Sequence, residues 1–170
     1  MRDKILGELS KIEREGIQQL IEFLDESDFY TSPCSTKYHL NREGGLAEHS
    51  WGVFCNLKHK IEFFGLDVTM DTVRICGLLH DICKVESYFL DKGKYKFKSE
   101  FPLDHGVKSI YLIGKYLDLT EEEILAIRFH MGTYDIAGMS EYSYNDARKK
   151  YPLVTLLQTS DLESTFVTER

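Results

Sequence analysis

The sequence predicts an all-helical domain that carries one small β-hairpin. Apolar residues recur at helical spacing along most of the chain, and β-prone residues flank a glycine-containing turn. A length of 170 residues suits one domain with a substantial core. We therefore expect a single domain over residues 1–170, with a core over about 44–168 and an N-terminal helix over 2–24 packed on it.

The composition is that of an ordinary globular protein. Hydrophobic residues make up 42% of the chain and charged residues 29%, which excludes a disordered chain. No apolar run approaches the ~18 residues that a membrane span needs. Residues 1–5 lack the apolar core of a signal peptide. We expect a cytoplasmic protein without a membrane partner.

The four cysteines and the net charge indicate the cellular compartment and the kind of partner. No C-x-x-C pair occurs, which suits a reducing compartment. Cys55 and Cys76 fall in apolar helical patterns and are predicted to be small buried side chains. The formal net charge of −7 disfavours a nucleic-acid partner, because surfaces that bind nucleic acids are basic. A small anionic substrate stays compatible with a metal centre, which supplies local positive charge.

Two helices and a loop are predicted in the first 64 residues. Residues 2–24 have the pattern of an amphipathic helix, in which Gly16 is a weak point. Residues 25–41 are polar and contain Pro33, so we expect an irregular loop. A second helix is predicted over residues 44–64. Its predicted buried face comprises Trp51, Phe54, Leu57, Ile61 and Phe64.

Four further helices and the hairpin are predicted in the rest of the chain. The third helix is expected over residues 72–83, with Asp71 as its N-cap. Residues 87–90 and 95–98 flank a turn and predict the hairpin. A fourth helix follows over 105–117, and Thr120 with Glu123 forms a capping box for a fifth that ends near 130–132. Residues 132–149 are predicted to be a long loop, and Pro152 begins the last helix.

The most informative stretch is 74–84, in which His80 and Asp81 stand side by side within an apolar run. Burying two such side chains costs free energy unless they are paired or bound to a metal. Neutral imidazole and carboxylate are common N and O ligands of divalent metals. The sequence supplies four further candidate ligands: His49, His105, His130 and Asp161.

Taken singly, each of these residues is weak evidence, because a helical histidine is more often a hydrogen-bonded structural residue than a ligand. Together they form a stronger pattern, since four of the six histidines lie at helix ends or in apolar helical runs. His39, in a polar loop, and His59, between two lysines, lack that context. We predict that His39 and His59 bind no metal.

The order of the candidate ligands resembles that of the HD-domain metal-dependent hydrolase superfamily. Its motif is a histidine, a His-Asp pair, optional further histidines and a distant aspartate. This chain has, in order, His49, His80-Asp81, His105, His130 and Asp161. The resemblance covers about residues 44–165. Residues 80–84 are similar to the family's H-D-I-G-K variant, but Cys83 stands where glycine is common. The Cys83 side chain either lines the site or has no role in it.

The resemblance implies an all-helical fold with ligands converging from several helices. It implies a first metal held by four residues: His49, His80, Asp81 and Asp161. It further implies a second metal at His105 and His130, with Asp81 bridging the two. Ligands of this kind suit Fe, Mn, Co, Ni, Zn or Mg, and the open coordination positions are typical of a catalytic site.

Two such metals can activate a water and hold the oxygens of a phosphoester during displacement. The resemblance thus implies hydrolysis of a phosphate ester, in a nucleotide or another small phosphorylated metabolite, by a metal-activated hydroxide. Asp81 and Lys84 are the predicted catalytic residues. Lys84, Lys108 and Arg128 are candidates to bind the substrate phosphate, although each also suits an ordinary surface position. Oligomerisation is left open.

Two alternatives share the same motif. A few dinuclear members of this superfamily are mixed-valence di-iron oxygenases with the same ligand order and a lysine after the dyad. The chain could also be a non-catalytic module that binds a ligand or partner, although degenerate modules usually lose a ligand and this chain keeps all six. An exoribonuclease role is disfavoured by the acidic balance.

Overall fold

A computed structural model describes residues 1–37, 40–98, 101–135 and 141–169. Across these residues the chain forms eight α-helices and a two-stranded hairpin, which confirms the predicted fold class. The helices are α1 (Arg2–Leu9), α2 (Ile17–Glu26), α3 (Gly45–Phe64), α4 (Met70–Leu79), α5 (His105–Ile113), α6 (Glu121–Arg128), α7 (Glu141–Lys150) and α8 (Pro152–Glu163). The strands are β1 (Tyr88–Asp91) and β2 (Lys94–Phe97).

Helix α3 is the central element, and it packs against α4 and α8. Its crossing with α4 is close because of Gly77. A Cβ at that position would lie 2.7 Å from the Cα of Phe54, so only glycine lets the two backbones approach this far. The close crossing brings the end of α4 next to the beginning of α3.

The predicted N-terminal helix over residues 2–24 is wrong, because the segment forms two helices, α1 and α2. Gly16, the N-cap of α2, has a φ of +85°, which glycine adopts without strain. A Cβ there would lie 1.8 Å from the carbonyl oxygen of Tyr116. The turn also lets Arg14 form an ion pair with the buried Glu123, at 2.6 Å between Nη2 and Oε1. Long-range packing therefore breaks the helix.

Helix α4 differs from its prediction at both ends. Its N-cap is Thr69, whose Oγ1 accepts a hydrogen bond from the Thr72 N–H at 3.2 Å, and not Asp71. The Asp71 carboxylate instead accepts from the Glu13 N–H and from Arg74. The helix ends at Leu79, so the dyad lies at its C-terminus, followed by a 3₁₀ turn at Ile82–Lys84.

Two predictions about buried residues on α3 are wrong. Cys55 is exposed, and Phe64 is 58% exposed. Cys55 falls outside the helical stripe that faces the core, and Phe64 is the last residue of the helix. Cys76 is fully buried in α4, as predicted.

The C-terminal third contains one helix that was predicted to be loop. Residues 141–150 form α7, whereas residues 136–140 of that predicted loop lie outside the described part of the chain. The Thr120–Glu123 capping box of α6 and the start of α8 at Pro152 are both confirmed. Helix α5 ends at Ile113, one turn earlier than expected. A π-helical turn, Ser164–Thr168, follows α8.

The hairpin matches its prediction. Strands β1 and β2 pair antiparallel with Tyr88 opposite Phe97 and Asp91 opposite Lys94. The Tyr88 hydroxyl donates to the carbonyl oxygen of Cys34 at 3.2 Å, which ties the hairpin to the loop before α3. None of the helices in the described residues has the length and apolar character that a bilayer crossing requires.

Candidate metal centre

Four of the predicted ligands converge from three helices onto one buried point. His49 comes from the second turn of α3, His80 and Asp81 from the end of α4, and Asp161 from the last turn of α8. His49 Nε2 lies 3.1 Å from Asp161 Oδ1, 3.6 Å from Asp81 Oδ2 and 3.3 Å from His80 Nε2. His49, His80 and Asp81 are 2% exposed or less. The donor atoms of His49, His80 and Asp161 are close enough to share one ion, and Asp81 Oδ2 lies beside His49 and His80.

Backbone carbonyls fix the orientation of two of the imidazoles. His80 Nδ1 lies 3.1 Å from the Gly77 carbonyl oxygen, and His130 Nδ1 lies 2.7 Å from that of Ile127. Each Nδ1 must carry the hydrogen and donate it, which leaves a lone pair on each Nε2. A carbonyl oxygen behind the ring thereby fixes the tautomer that can bind a metal through Nε2.

The Nε2 of His130 is the clearest sign that the cluster fits a metal. Among the residues that the structure describes, this buried nitrogen has no partner at hydrogen-bonding geometry, although Asp81 Oδ1 is 3.4 Å away. A buried polar atom without a partner costs free energy, and a cation would satisfy it. The donor set of imidazoles and carboxylates is the chemistry that divalent metals prefer.

The donor atoms of the described residues form four compact groups, and Asp81 belongs to three of them. His49, His80 and Asp161 form one group, and His80, Asp81 and His130 form another. His105 lies in a third group, with Asp81 and Cys83, and not beside His130. Cys34, His49 and Asp81 form a fourth. Asp81 belongs to three of these groups, so its two oxygens face different sets of donors.

The charges within the cluster balance one another. Burial lowers the pKa of His80 to about 3, which keeps this imidazole neutral. Burial opposes ionisation of Asp81 and Asp161, but Lys84 holds the pKa of Asp81 well below its ordinary value, and His49 lowers that of Asp161. Both aspartates are therefore carboxylates, as metal ligands must be.

Lys84 is the cation closest to the dyad. Its Nζ lies 2.5 Å from Asp81 Oδ2 and 3.4 Å from Cys34 Sγ. Burial opposes the ammonium charge, but Asp81 raises the pKa of Lys84 well above its ordinary value. Lys84 and Asp81 therefore form a buried ion pair at the edge of the cluster.

The other two predicted substrate-binding cations have partners outside the cluster. Lys108 Nζ donates to Ser87 Oγ at 3.0 Å and lines a cavity of about 320 Å³ with Phe101 and Tyr111. Arg128 is nearly buried and lies 3.6 Å from Asp104. His59 is exposed on α3, while His39 lies outside the described residues.

Sequence reasoning missed Glu169. Its Oε1 lies 3.0 Å from His49 Nδ1, although 120 residues separate them in the chain. A carboxylate behind a histidine fixes its tautomer and raises its basicity as a metal ligand. Burial opposes charge on His49, but Cys34, Asp161 and Glu169 raise its pKa well above the ordinary value. No local motif marks Glu169; only the π-helical turn after α8 brings it back to α3.

Comparisons with known proteins identify the family of the chain. A segment of 109 residues is 30% identical to the dihydroneopterin 2',3'-cyclic phosphate phosphodiesterase of Methanocaldococcus jannaschii, and covers 61% of this chain and 43% of that relative. The chain thus matches less than half of that protein's length. No solved structure matches the chain significantly. Residues 46–164, which include all six predicted ligand positions, match the HD domain. The chain therefore belongs to the HD domain family.

Proposed function

We propose that the chain is a metal-dependent phosphohydrolase that acts on a nucleotide or another small phosphorylated metabolite. The observation that carries the proposal is the convergence of His49, His80, Asp81 and Asp161 on one buried point, with His130 Nε2 left without a hydrogen-bond partner. The phosphodiesterase name of the archaeal relative supports a phosphoester as substrate.

The proposed metal ligands are the six residues predicted from the sequence: His49, His80, Asp81, His105, His130 and Asp161. Two divalent metals, from Fe, Mn, Co, Ni, Zn or Mg, would lower the pKa of a water and neutralise charge on the phosphate when bound. Asp81 is the residue suited to bridge them, because it belongs to three donor groups. We propose two metals per chain.

Asp81 and Lys84 are the proposed catalytic residues. The Lys84 ammonium holds Asp81 in place at 2.5 Å and keeps it ionised. The same ammonium offers a positive charge next to the donor cluster, where a substrate phosphate would be bound. A lysine suits this task because its point charge can follow a phosphate oxygen on a flexible stem.

Lys108 and Arg128 remain predictions as substrate contacts. Both would have to exchange their present partners, Ser87 and Asp104, for a phosphate oxygen. The partners of Lys84, Asp81 and Cys34, both belong to the donor groups, so its ammonium already lies at the cluster and we propose it as the principal phosphate-binding cation.

The test is a metal analysis followed by an activity screen. The protein is purified without chelator, freed of any affinity tag and analysed for metals, then assayed on bis-p-nitrophenyl phosphate and on cyclic nucleotides. Asp81→Asn keeps the shape of the side chain but removes its charge, so metal content and activity should both fall to background. His59→Ala, on the exposed face of α3, is the matched control and should leave both unchanged.

Each other outcome favours a named alternative. Full metal content in Asp81→Asn would refute the assignment of ligands. Two irons per chain with oxygen consumption and no phosphoester cleavage would favour an HD-type di-iron oxygenase. A protein that binds no metal after reconstitution would favour a ligand-binding module.

A further inference from the structure

The Cys83 thiol lies beside the dyad and beside His105. Its side chain is 4% exposed, with Sγ 3.3 Å from His105 Nδ1 and 4.0 Å from Asp81 Oδ1. The Cys83 N–H donates to the buried Ser109 Oγ at 3.2 Å, which anchors the 3₁₀ turn to α5. The sulphur therefore points at two proposed metal ligands from a fixed backbone.

The spacing of these three donors suits a single ion. Ligand atoms around a tetrahedral zinc lie roughly 3.3–3.8 Å apart, given Zn–S of ~2.3 Å and Zn–N or Zn–O of ~2.0–2.2 Å. The two distances from Cys83 Sγ, 3.3 and 4.0 Å, lie near this range. A small shift of the Asp81 carboxylate would bring the longer distance into the range as well.

Cys34, the other cysteine near the cluster, is in a different electrostatic environment. Its Sγ accepts a hydrogen bond from the Lys84 ammonium at 3.4 Å, so its lone pair already faces a cation. The Cys34 sulphur would have to give up that hydrogen bond before it could bind a metal. Cys76 is fully buried in the core and belongs to no donor group among the described residues.

We propose that Cys83 is a thiolate ligand of the metal held by Asp81 and His105, and that it biases this position toward zinc, cobalt or iron and against magnesium and manganese. The inference rests on the metal centre of the proposed function but not on its substrate. On binding, the thiol loses its proton to solvent and the sulphur donates an electron pair to the ion. A thiolate is a soft ligand, which magnesium and manganese disfavour.

The first experiment needs no variant. Zinc K-edge X-ray absorption is measured on the reconstituted wild-type protein loaded with zinc. We expect a sulphur scatterer at about 2.3 Å beside nitrogen and oxygen at about 2.0–2.1 Å. Zinc bound through nitrogen and oxygen alone would overturn the thiolate ligand while leaving the metal centre intact. Failure to bind zinc, cobalt or iron would overturn this inference, and failure to bind any divalent metal would overturn the proposed function as well.

The second experiment identifies the sulphur. A Cys55→Ser background removes the exposed thiol, and Co²⁺ is added anaerobically to follow the sulphur-to-cobalt charge-transfer absorption in the near ultraviolet. Cys83→Ser should abolish this absorption and weaken zinc binding at one site by at least about tenfold. Cys34→Ser, the matched control, should keep both.

The opposite pattern would overturn the inference. If the absorption survives in Cys83→Ser and disappears in Cys34→Ser, the sulphur ligand is Cys34. Circular dichroism of each variant checks its fold, and the zinc spectrum of the wild-type protein decides the question if a variant does not fold.

Discussion

His49 acquires its chemistry from residues that are distant in the sequence. Its Nε2 faces Asp161, Asp81 and His80, while its Nδ1 faces Glu169. The imidazole is thus held from behind by one carboxylate and presents its other nitrogen to the cluster. At the scale of the residue, Glu169 is a positioning group and not a ligand.

Glu169→Gln should weaken metal binding and leave the fold unchanged. Glutamine keeps the size of the side chain but removes the charge that orients His49 and strengthens its Nε2. We expect a loss of about 10–100-fold in zinc affinity, the usual effect of losing a carboxylate behind a ligand histidine. Competition titration against a zinc chelator measures it.

Glu163→Gln is the control, because Glu163 belongs to the same C-terminal segment but forms an ion pair with Lys60 at 2.9 Å. It should leave zinc affinity unchanged. Equal affinities in wild type and Glu169→Gln would refute the positioning role.

The crossing of α3 and α4 decides, at the scale of the element, how close His49 and His80 come. Gly77 allows that crossing, because Phe54 leaves no room for a methyl group. The packing of two helices and the assembly of the cluster therefore depend on the same position.

Gly77→Ala should destabilise the protein by about 1–3 kcal/mol, the usual cost of overpacking a core. It should also weaken metal binding, because α3 and α4 must separate to admit the methyl group. Urea denaturation and zinc titration measure the two effects.

Gly7→Ala is the matched control in α1, where nothing lies within 4 Å of the new methyl group. This substitution should stabilise the protein by roughly 0.5–1 kcal/mol, because alanine favours the helix. A destabilised Gly7→Ala, or a Gly77→Ala as stable as wild type, would contradict this account.

Features with local causes were predictable from the sequence. The Thr120–Glu123 capping box needs residues only three positions apart, and the dyad is visible as two polar residues in an apolar run. The break at Gly16 was not predictable, since it depends on Tyr116 and on the ion pair of Arg14 with Glu123. The helical spacing of apolar residues within residues 2–24, taken alone, favours one continuous helix.

Helix α7 was missed for a different reason. Residues 141–150 are polar, with few apolar residues at helical spacing, so composition favours a loop. In the candidate site, Glu169 has no local signal, and Cys83 is marked only by the resemblance of residues 80–84 to the H-D-I-G-K motif, in which glycine takes its place. Both become informative when distances between elements are known.

The Arg14–Glu123 ion pair connects distant parts of the whole molecule. Glu123 also accepts hydrogen bonds from Thr72 Oγ1 at 2.8 Å and from the Thr120 N–H at 2.9 Å. The turn before α2, helix α4 and helix α6 therefore share one buried carboxylate, whose side chain is completely inaccessible.

Arg14→Met should destabilise the protein by about 3 kcal/mol at pH 7, because it leaves the charge of Glu123 buried without its partner. Chemical denaturation measures this loss. Lys150→Met is the control, since its ion pair with Glu121 is exposed, and it should cause no measurable change.

The wild-type protein should also lose stability in acid through Glu123. Burial opposes ionisation, but Arg14 and the Thr120 N–H hold the pKa of Glu123 below its ordinary value of 4.5. The stabilisation is therefore complete above pH 4.5 and is lost as the pH falls through the lower pKa of the folded state. A difference between wild type and Glu123→Gln that does not shrink from pH 6 to pH 3 would contradict this linkage.

The contact between His49 and Glu169 also has a consequence for synthesis. The two residues are 120 positions apart. At roughly 5–20 residues per second, a ribosome makes His49 about 6–24 s before Glu169. A metal ion that reaches the nascent chain in that interval meets an imidazole whose orientation is not yet fixed, so ions that bind early are held less tightly than ions that bind after the chain has closed.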